Sequence, residues 1–113
     1  MRVVRVTLAV DDPESMVAFY NQAFGCGLSG RAGSPLFVGQ FAGLEFQLCP
    51  NSVAGVVAEQ NRHQFRVAVE DVERITASVI SAGGSLVNRT GDGALEVVGI
   101  SDPEGNTLEL VAE

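Results

Sequence analysis

One segment of this chain occurs twice. Residues 5–25, RVTLAVDDPESMVAFYNQAFG, align without a gap on residues 64–84, QFRVAVEDVERITASVISAGG, at a constant offset of 59. Seven of the 21 aligned positions are identical: Ala9/Ala68, Val10/Val69, Asp12/Asp71, Glu14/Glu73, Ala18/Ala77, Ala23/Ala82 and Gly25/Gly84. Chance would give about one such match at average residue usage. The closing segments echo each other too, GLEFQLCP at 43–50 against GNTLELVA at 105–112. A duplicated unit of about 60 residues restricts the fold to two copies of one supersecondary module, and it says which positions are structurally equivalent.

Composition narrows the class. The chain has 113 residues, 46% of them hydrophobic and 19% charged, which suits one folded domain over 1–113 with its own core and excludes a disordered chain. No apolar run reaches the ~20 residues of a membrane-spanning helix, and MRVVRV leads straight into the repeat, so neither a membrane partner nor a signal peptide is expected. Cys26 and Cys49 lack metal-ligand spacing and are expected as buried, reduced thiols, which points to a cytoplasmic protein. Fourteen acidic residues face seven arginines and no lysine, a net charge of −7. That balance argues against nucleic acid as a partner and is compatible with a cationic ligand.

The local pattern predicts a strand over 2–10, with Val4, Val6, Leu8 and Val10 on one face and Arg5, Thr7 and Ala9 on the other. Asp12 and Pro13 start a helix near 12–24, which Gly25 ends. Strands are predicted over 26–32, 36–41 and 44–49, and 50–62 is a connector with Pro50, Asn51 and Gly55 as breakers. The second copy follows suit. It has a strand over 64–70, a helix near 71–83 capped by Asp71 and stopped by Gly83 and Gly84, and strands over 85–89, 95–100 and 107–112. Asp102 and Pro103 open a tight turn that Gly105 completes. Each module reads βαβββ, the first over about residues 1–54 and the second over about 55–113.

Two βαβββ modules, one running into DDPESMVAFY and the other closing on DPEGNTLELVAE, resemble the vicinal oxygen chelate superfamily. That group includes glyoxalase I, extradiol dioxygenases, fosfomycin-resistance enzymes and bleomycin-binding resistance proteins. The resemblance covers nearly the whole chain. It implies an α+β fold in which each module curls a mixed sheet into a cup, with helices outside and a cavity between the two cups.

The resemblance also implies where to look for a site. Metal-dependent members carry one ligand, usually His or Glu, on the first and last strand of each module. Those positions fall on Arg5, Gln47, Gln64 and Glu109. Arg5 has only donors, and two amides are poor ligands for a transition metal, so no metal and no other cofactor is expected. His63, the only histidine, precedes Gln64 and would need a β-bulge to turn inward.

The remaining cavity face is polar: Arg5, Thr7, Glu45, Gln47, Gln64, Arg66, Thr107 and Glu109. Charges in a partly enclosed cup are expected to pair. Such pairs would either cross-link the modules in place of a metal or orient a polar small molecule. In the second role Glu109 and Glu45 accept from an amine, and Arg5 and Arg66 hold a carboxylate or phenolate.

The expected function is therefore metal-free binding of a small polar or cationic molecule, in the manner of the bacterial bleomycin and antibiotic-resistance members. The absence of Trp leaves little stacking surface for a large flat drug. The alternative is a glyoxalase-like or dioxygenase-like enzyme, a lyase, isomerase or oxidoreductase, with an unorthodox metal site or with Glu109 or Glu45 as acid and base. A third is an interaction domain with a vestigial pocket. The resemblance further implies a homodimer, with swapped and unswapped pairing of modules both open.

Overall fold

In each copy of the repeat, an edge strand runs into a helix whose first turn is capped by an aspartate. In the first copy, β1 (Arg5–Val10) leads to α1 (Pro13–Phe24), where the Asp12 carboxylate accepts from the Ser15 backbone N–H. In the second, β5 (Phe65–Val69) leads to α3 (Val72–Ser81), and Asp71 accepts from the Arg74 N–H at 3.0 Å. Each cap satisfies one of the N–H groups that a helix start leaves unpaired. Both helices stop where expected. Gly25 takes a left-handed conformation at φ 64, and Gly83 does so at φ 99 after Ala82.

The computed structural model describes residues 2–56, 58–60 and 63–113. It divides into two compact units, Met1–Val57 and Ala58–Glu113. The first also contains β2 (Ser29–Gly30), β3 (Phe37–Phe41), β4 (Leu44–Pro50) and a short helix, α2 (Asn51–Ala54). The second also contains β6 (Ser85–Thr90), β7 (Val97–Ser101), β8 (Thr107–Ala112) and a 3-10 turn at Gly93–Leu95. The sheets have the same order, β1-β4-β3-β2 and β5-β8-β7-β6. In both, the first strand pairs in parallel with the last, and the other neighbours are antiparallel. These are the two mixed sheets of the βαβββ pattern.

Strand alternation decides what each sheet buries. In the first unit Val10, Phe46 and Leu48 are buried, and α1 lies against β3 and β4. Phe19 and Tyr20 of α1 pack edge to face at 5.0 Å, and Tyr20 meets Phe46 at 5.1 Å. In the second unit Val98, Ile100, Leu108 and Leu110 form the matching face, against which α3 sets Val79. Thr76 is buried there as well, its hydroxyl donating to the Val72 carbonyl at 2.7 Å.

Four expectations need correction. Val4, placed on the packed face by alternation, is 64% exposed, because β1 begins only at Arg5. Phe65, which alternation places on one face with Val67 and Val69 for packing under the helix, is 40% exposed at the first residue of β5. The strand expected over 26–32 shrinks to Ser29–Gly30. There the Asn21 side chain takes both backbone groups of Leu28, accepting from its N–H at 2.6 Å and donating to its carbonyl at 3.0 Å. Those groups are lost to strand pairing. The connector 50–62 contains α2, which its breakers had concealed; residues 57, 61 and 62 of it, like residue 1, lie outside the described residues.

Two turns position the last strands. Ala42 and Gly43 join β3 to β4 with φ 51 and φ 82, the paired positive angles of a type I′ hairpin. Between β7 and β8, Asp102 is buried and organises the whole turn. Its Oδ1 accepts from the N–H groups of Glu104 and Asn106 at 2.9 Å each, and its Oδ2 from the Asn106 amide at 2.7 Å. The Gly105 N–H closes the turn onto the Asp102 carbonyl at 3.0 Å. The DPEGN segment is thus a turn held by one carboxylate.

Candidate functional site

The polar residues singled out in the sequence stand in register on parallel strand pairs. Arg5 lies opposite Glu45 and Thr7 opposite Gln47; Arg66 lies opposite Glu109. Alternation sends them away from the buried apolar face of their sheet.

Every one of these side chains has a partner on the neighbouring strand. Arg5 Nε donates to Glu45 Oε2 at 2.6 Å. Gln47 Nε2 donates to the Thr7 hydroxyl at 3.3 Å, and Gln64 Nε2 to the Thr107 hydroxyl at 2.8 Å. Arg66 gives two bonds to one oxygen of Glu109, from Nε at 3.2 Å and Nη2 at 3.1 Å. Both fall on Oε1, so among the described residues Oε2 receives none.

The repeat inverts this arrangement. The first unit places its ion pair on the rung of Arg5 and its amide–hydroxyl pair on the rung of Thr7. The second places the amide–hydroxyl pair on the rung of Gln64, equivalent to Arg5, and the ion pair on the rung of Arg66, equivalent to Thr7.

The ion pairs are only partly enclosed: side-chain exposure is 47% and 36% for Arg5 and Glu45, and 58% and 29% for Arg66 and Glu109. Each is worth about 0–1 kcal/mol. One reading is corrected here: they are not cross-links between modules, since each closes within its own unit. Only Gln47 of the polar set is buried.

Sequence reasoning missed the continuation of these rungs across each sheet. Gln40 of β3 stands opposite Glu45, and Ser101 of β7 opposite Thr107, with Ser85 of β6 next in line. Asn88 of β6 stands opposite Gly99, which stands opposite Glu109. Period-2 alternation over the inner strands carried this signal, but the repeat is weakest there.

Other candidates resolve into structure. His63 lies exposed in a bend ahead of β5, and β5 pairs with β8 without a bulge. Cys26 and Cys49 are free and buried, and burial pushes the Cys26 thiol up to about 12, which suppresses its nucleophilic form. Tyr20 is part of the aromatic core.

The fold and the sequence agree on ancestry. A model of the glyoxalase-like domain matches residues 5–111. The chain belongs to the glyoxalase-like domain family. That family lies within the vicinal oxygen chelate superfamily, whose members recur among solved structures similar to this domain. A glyoxalase-related enzyme from Fulvimarina pelagi is 21% identical, with a TM-score of 0.79 over 99% of this chain and 88% of its own. A glyoxalase/bleomycin resistance protein from Albidiferax ferrireducens T118 is 21% identical, with a TM-score of 0.74 over 98% of both chains. A genomically encoded fosfomycin resistance protein from Listeria monocytogenes is 16% identical, with a TM-score of 0.79 over 100% of this chain and 93% of its own. At these identities the likeness concerns the fold. No curated protein matches the chain.

The glyoxalase-like domain does not offer the donors that a superfamily metal would need. In the first unit the two implied ligand positions hold Arg5, which has no acceptor atom, and Gln47, bonded to Thr7. In the second they hold Gln64, bonded to Thr107, and Glu109, which is paired with Arg66. Among the described residues no group of three or more His, Cys, Asp or Glu side chains stands together. The residues present do not fit the metal.

Proposed function

We propose that this glyoxalase-like domain binds a small polar organic molecule without a metal ion, using the polar rungs of its β1–β4 and β5–β8 pairs. The observation that carries this reading is what occupies the four implied ligand positions. Arg5 cannot ligate a metal and Gln47 and Gln64 are poor ligands for a transition metal, yet all are polar and held in defined orientations by cross-strand partners. Groups fixed in this way recognise the donors and acceptors of a ligand at low ordering cost. The net charge of −7 favours a neutral or cationic ligand over an anionic one. The names of the fosfomycin and bleomycin resistance neighbours support extending the proposal to resistance against a toxic small molecule; the sequence adds a bacterial, cytoplasmic homodimer.

The test combines elemental analysis of protein prepared without chelators with a thermal-shift panel of polar organic molecules. The expected result is no stoichiometric Zn, Ni, Mn or Fe and stabilisation by at least one metal-free ligand. The best hit should bind Glu109→Gln more weakly than the parent protein in calorimetry. One tightly held transition metal per chain would overturn the reading and favour a glyoxalase-like or dioxygenase-like enzyme. Equal affinity for Glu109→Gln would make that carboxylate structural.

A further inference from the structure

Gly99 stands between two polar side chains on one rung of the second sheet. Register places Glu109 on one side of it and Asn88 on the other, with Arg66 beyond Glu109. A Cβ on Gly99 would come within 2.5 Å of Asn88 Oδ1 and 3.3 Å of its Cγ. The Asn88 carboxamide therefore lies across β7 in the space a side chain would fill, its oxygen against the strand and its NH2 turned away. Directly opposite residues of an antiparallel pair have Cβ positions about 5 Å apart. That spacing brings the Asn88 amide to the side of Glu109, whose Oε2 receives no bond from the described residues.

The first unit has no such feature. The residue equivalent to Gly99 is Val38, opposite Gln47 as Gly99 is opposite Glu109. A side chain there would crowd an amide reaching across the strand.

We propose that Asn88 and Glu109 form a subsite over Gly99 for a ligand group that carries a donor and an acceptor side by side, as in a primary carboxamide, urea or lactam. The ligand N–H donates to Glu109 Oε2, and its carbonyl accepts from the Asn88 NH2. Arg66 holds the carboxylate through Oε1 and orients it. This deepens the binding function proposed above and rests on it, naming the chemical class that the second unit selects.

The probes are 2-pyrrolidinone, N-methyl-2-pyrrolidinone, pyrrolidinium and butyrate, titrated into labelled full-length protein by NMR. The lactam should shift the Gly99 backbone amide and the Asn88 side-chain NH2. N-methylation, which replaces the donor hydrogen with a methyl group, should weaken binding at least about tenfold, the size of one charge-assisted hydrogen bond. Gly99→Ala should weaken the lactam by a similar factor, because its new methyl meets the movable tip of Asn88 rather than backbone. Asn88→Ala, which leaves β7 untouched, should do the same.

Equal binding of the N-methyl lactam, or lactam binding that neither variant weakens, would overturn the subsite. Binding of the probes, the lactam included, only at Arg5 and Glu45 with no response at Gly99 would overturn it too, while leaving the broader binding reading in place. Failure of every probe to bind anywhere would count against both.

Discussion

Arg66 faces Glu109 on the rung where, in the first unit, Thr7 faces Gln47. The duplicated scaffold thus keeps paired polar side chains at matching positions while exchanging which rung carries charge. Pairing is common to the two units although residue identity is not.

The Arg66–Glu109 pair should contribute little to stability by itself. Its arginine is 58% exposed, so water screens the attraction. In a double-mutant cycle of Arg66→Ala and Glu109→Ala, followed by urea unfolding, the coupling should be about 0.2–1 kcal/mol and should shrink with added salt. A coupling of several kcal/mol would mean that the pair is far more enclosed than either side chain indicates.

Asp102 should matter much more. At least three bonds converge on its buried carboxylate, two of them from backbone N–H groups, that of Asn106 buried and that of Glu104 part-buried. Asp102→Ala should destabilise the protein by about 2–4 kcal/mol. Asp102→Asn, which keeps one acceptor oxygen, should cost less. An alanine variant as stable as the parent would show that Pro103 and Gly105 alone hold the turn.

Much of the fold was legible because its signals are local. Asp12 and Asp71 cap, Gly25 and Gly83 stop, and alternation in 44–49 and 107–112 marks a strand, with one buried face in β8 while β4 buries Gln47 and Cys49 as well. What escaped was set by partners distant in the sequence. Leu28 leaves its strand because the Asn21 side chain competes for its backbone. The helix Asn51–Ala54 is too short for periodicity to show. The polar positions themselves could be found from the repeat, since alternation fixes a face. Their pairing could not, because Glu45 and Glu109 were each within reach of more than one donor on paper, and only register chooses. Asn88 stayed hidden because its role depends on an absence of side chain at Gly99, eleven residues later on another strand.

Cys26 makes stability depend on alkaline pH. Burial pushes its thiol from 9.0 up to about 12, so the folded protein keeps a proton that the unfolded chain releases. The stabilisation from a neutral buried thiol is fully present below pH 9.0 and is lost as pH rises toward about 12. Urea midpoints of the parent and of Cys26→Ala, taken from about pH 8 to about pH 11, should converge as pH rises. Parallel curves would show that the thiol ionises as readily folded as unfolded.

Gly39 and Gly99 should respond to very different degrees to the same added methyl. A Cβ on Gly39 would run into backbone, the Cys26 carbonyl first and then the Leu28 nitrogen at 2.9 Å. That carbonyl accepts from the Gln40 N–H at 2.8 Å, so relieving the clash means breaking a bond that ties the segment after α1 to β3. Gly39→Ala should therefore cost about 2–4 kcal/mol. At Gly99 the methyl meets the end of the Asn88 side chain, which can swing away, and the cost should stay within about 1 kcal/mol. Chemical denaturation of the two variants side by side reads the difference directly. If Gly39→Ala proved as stable as Gly99→Ala, the Cys26–Leu28 segment would not lie against β3, and the packing that shortens β2 would have to be redrawn.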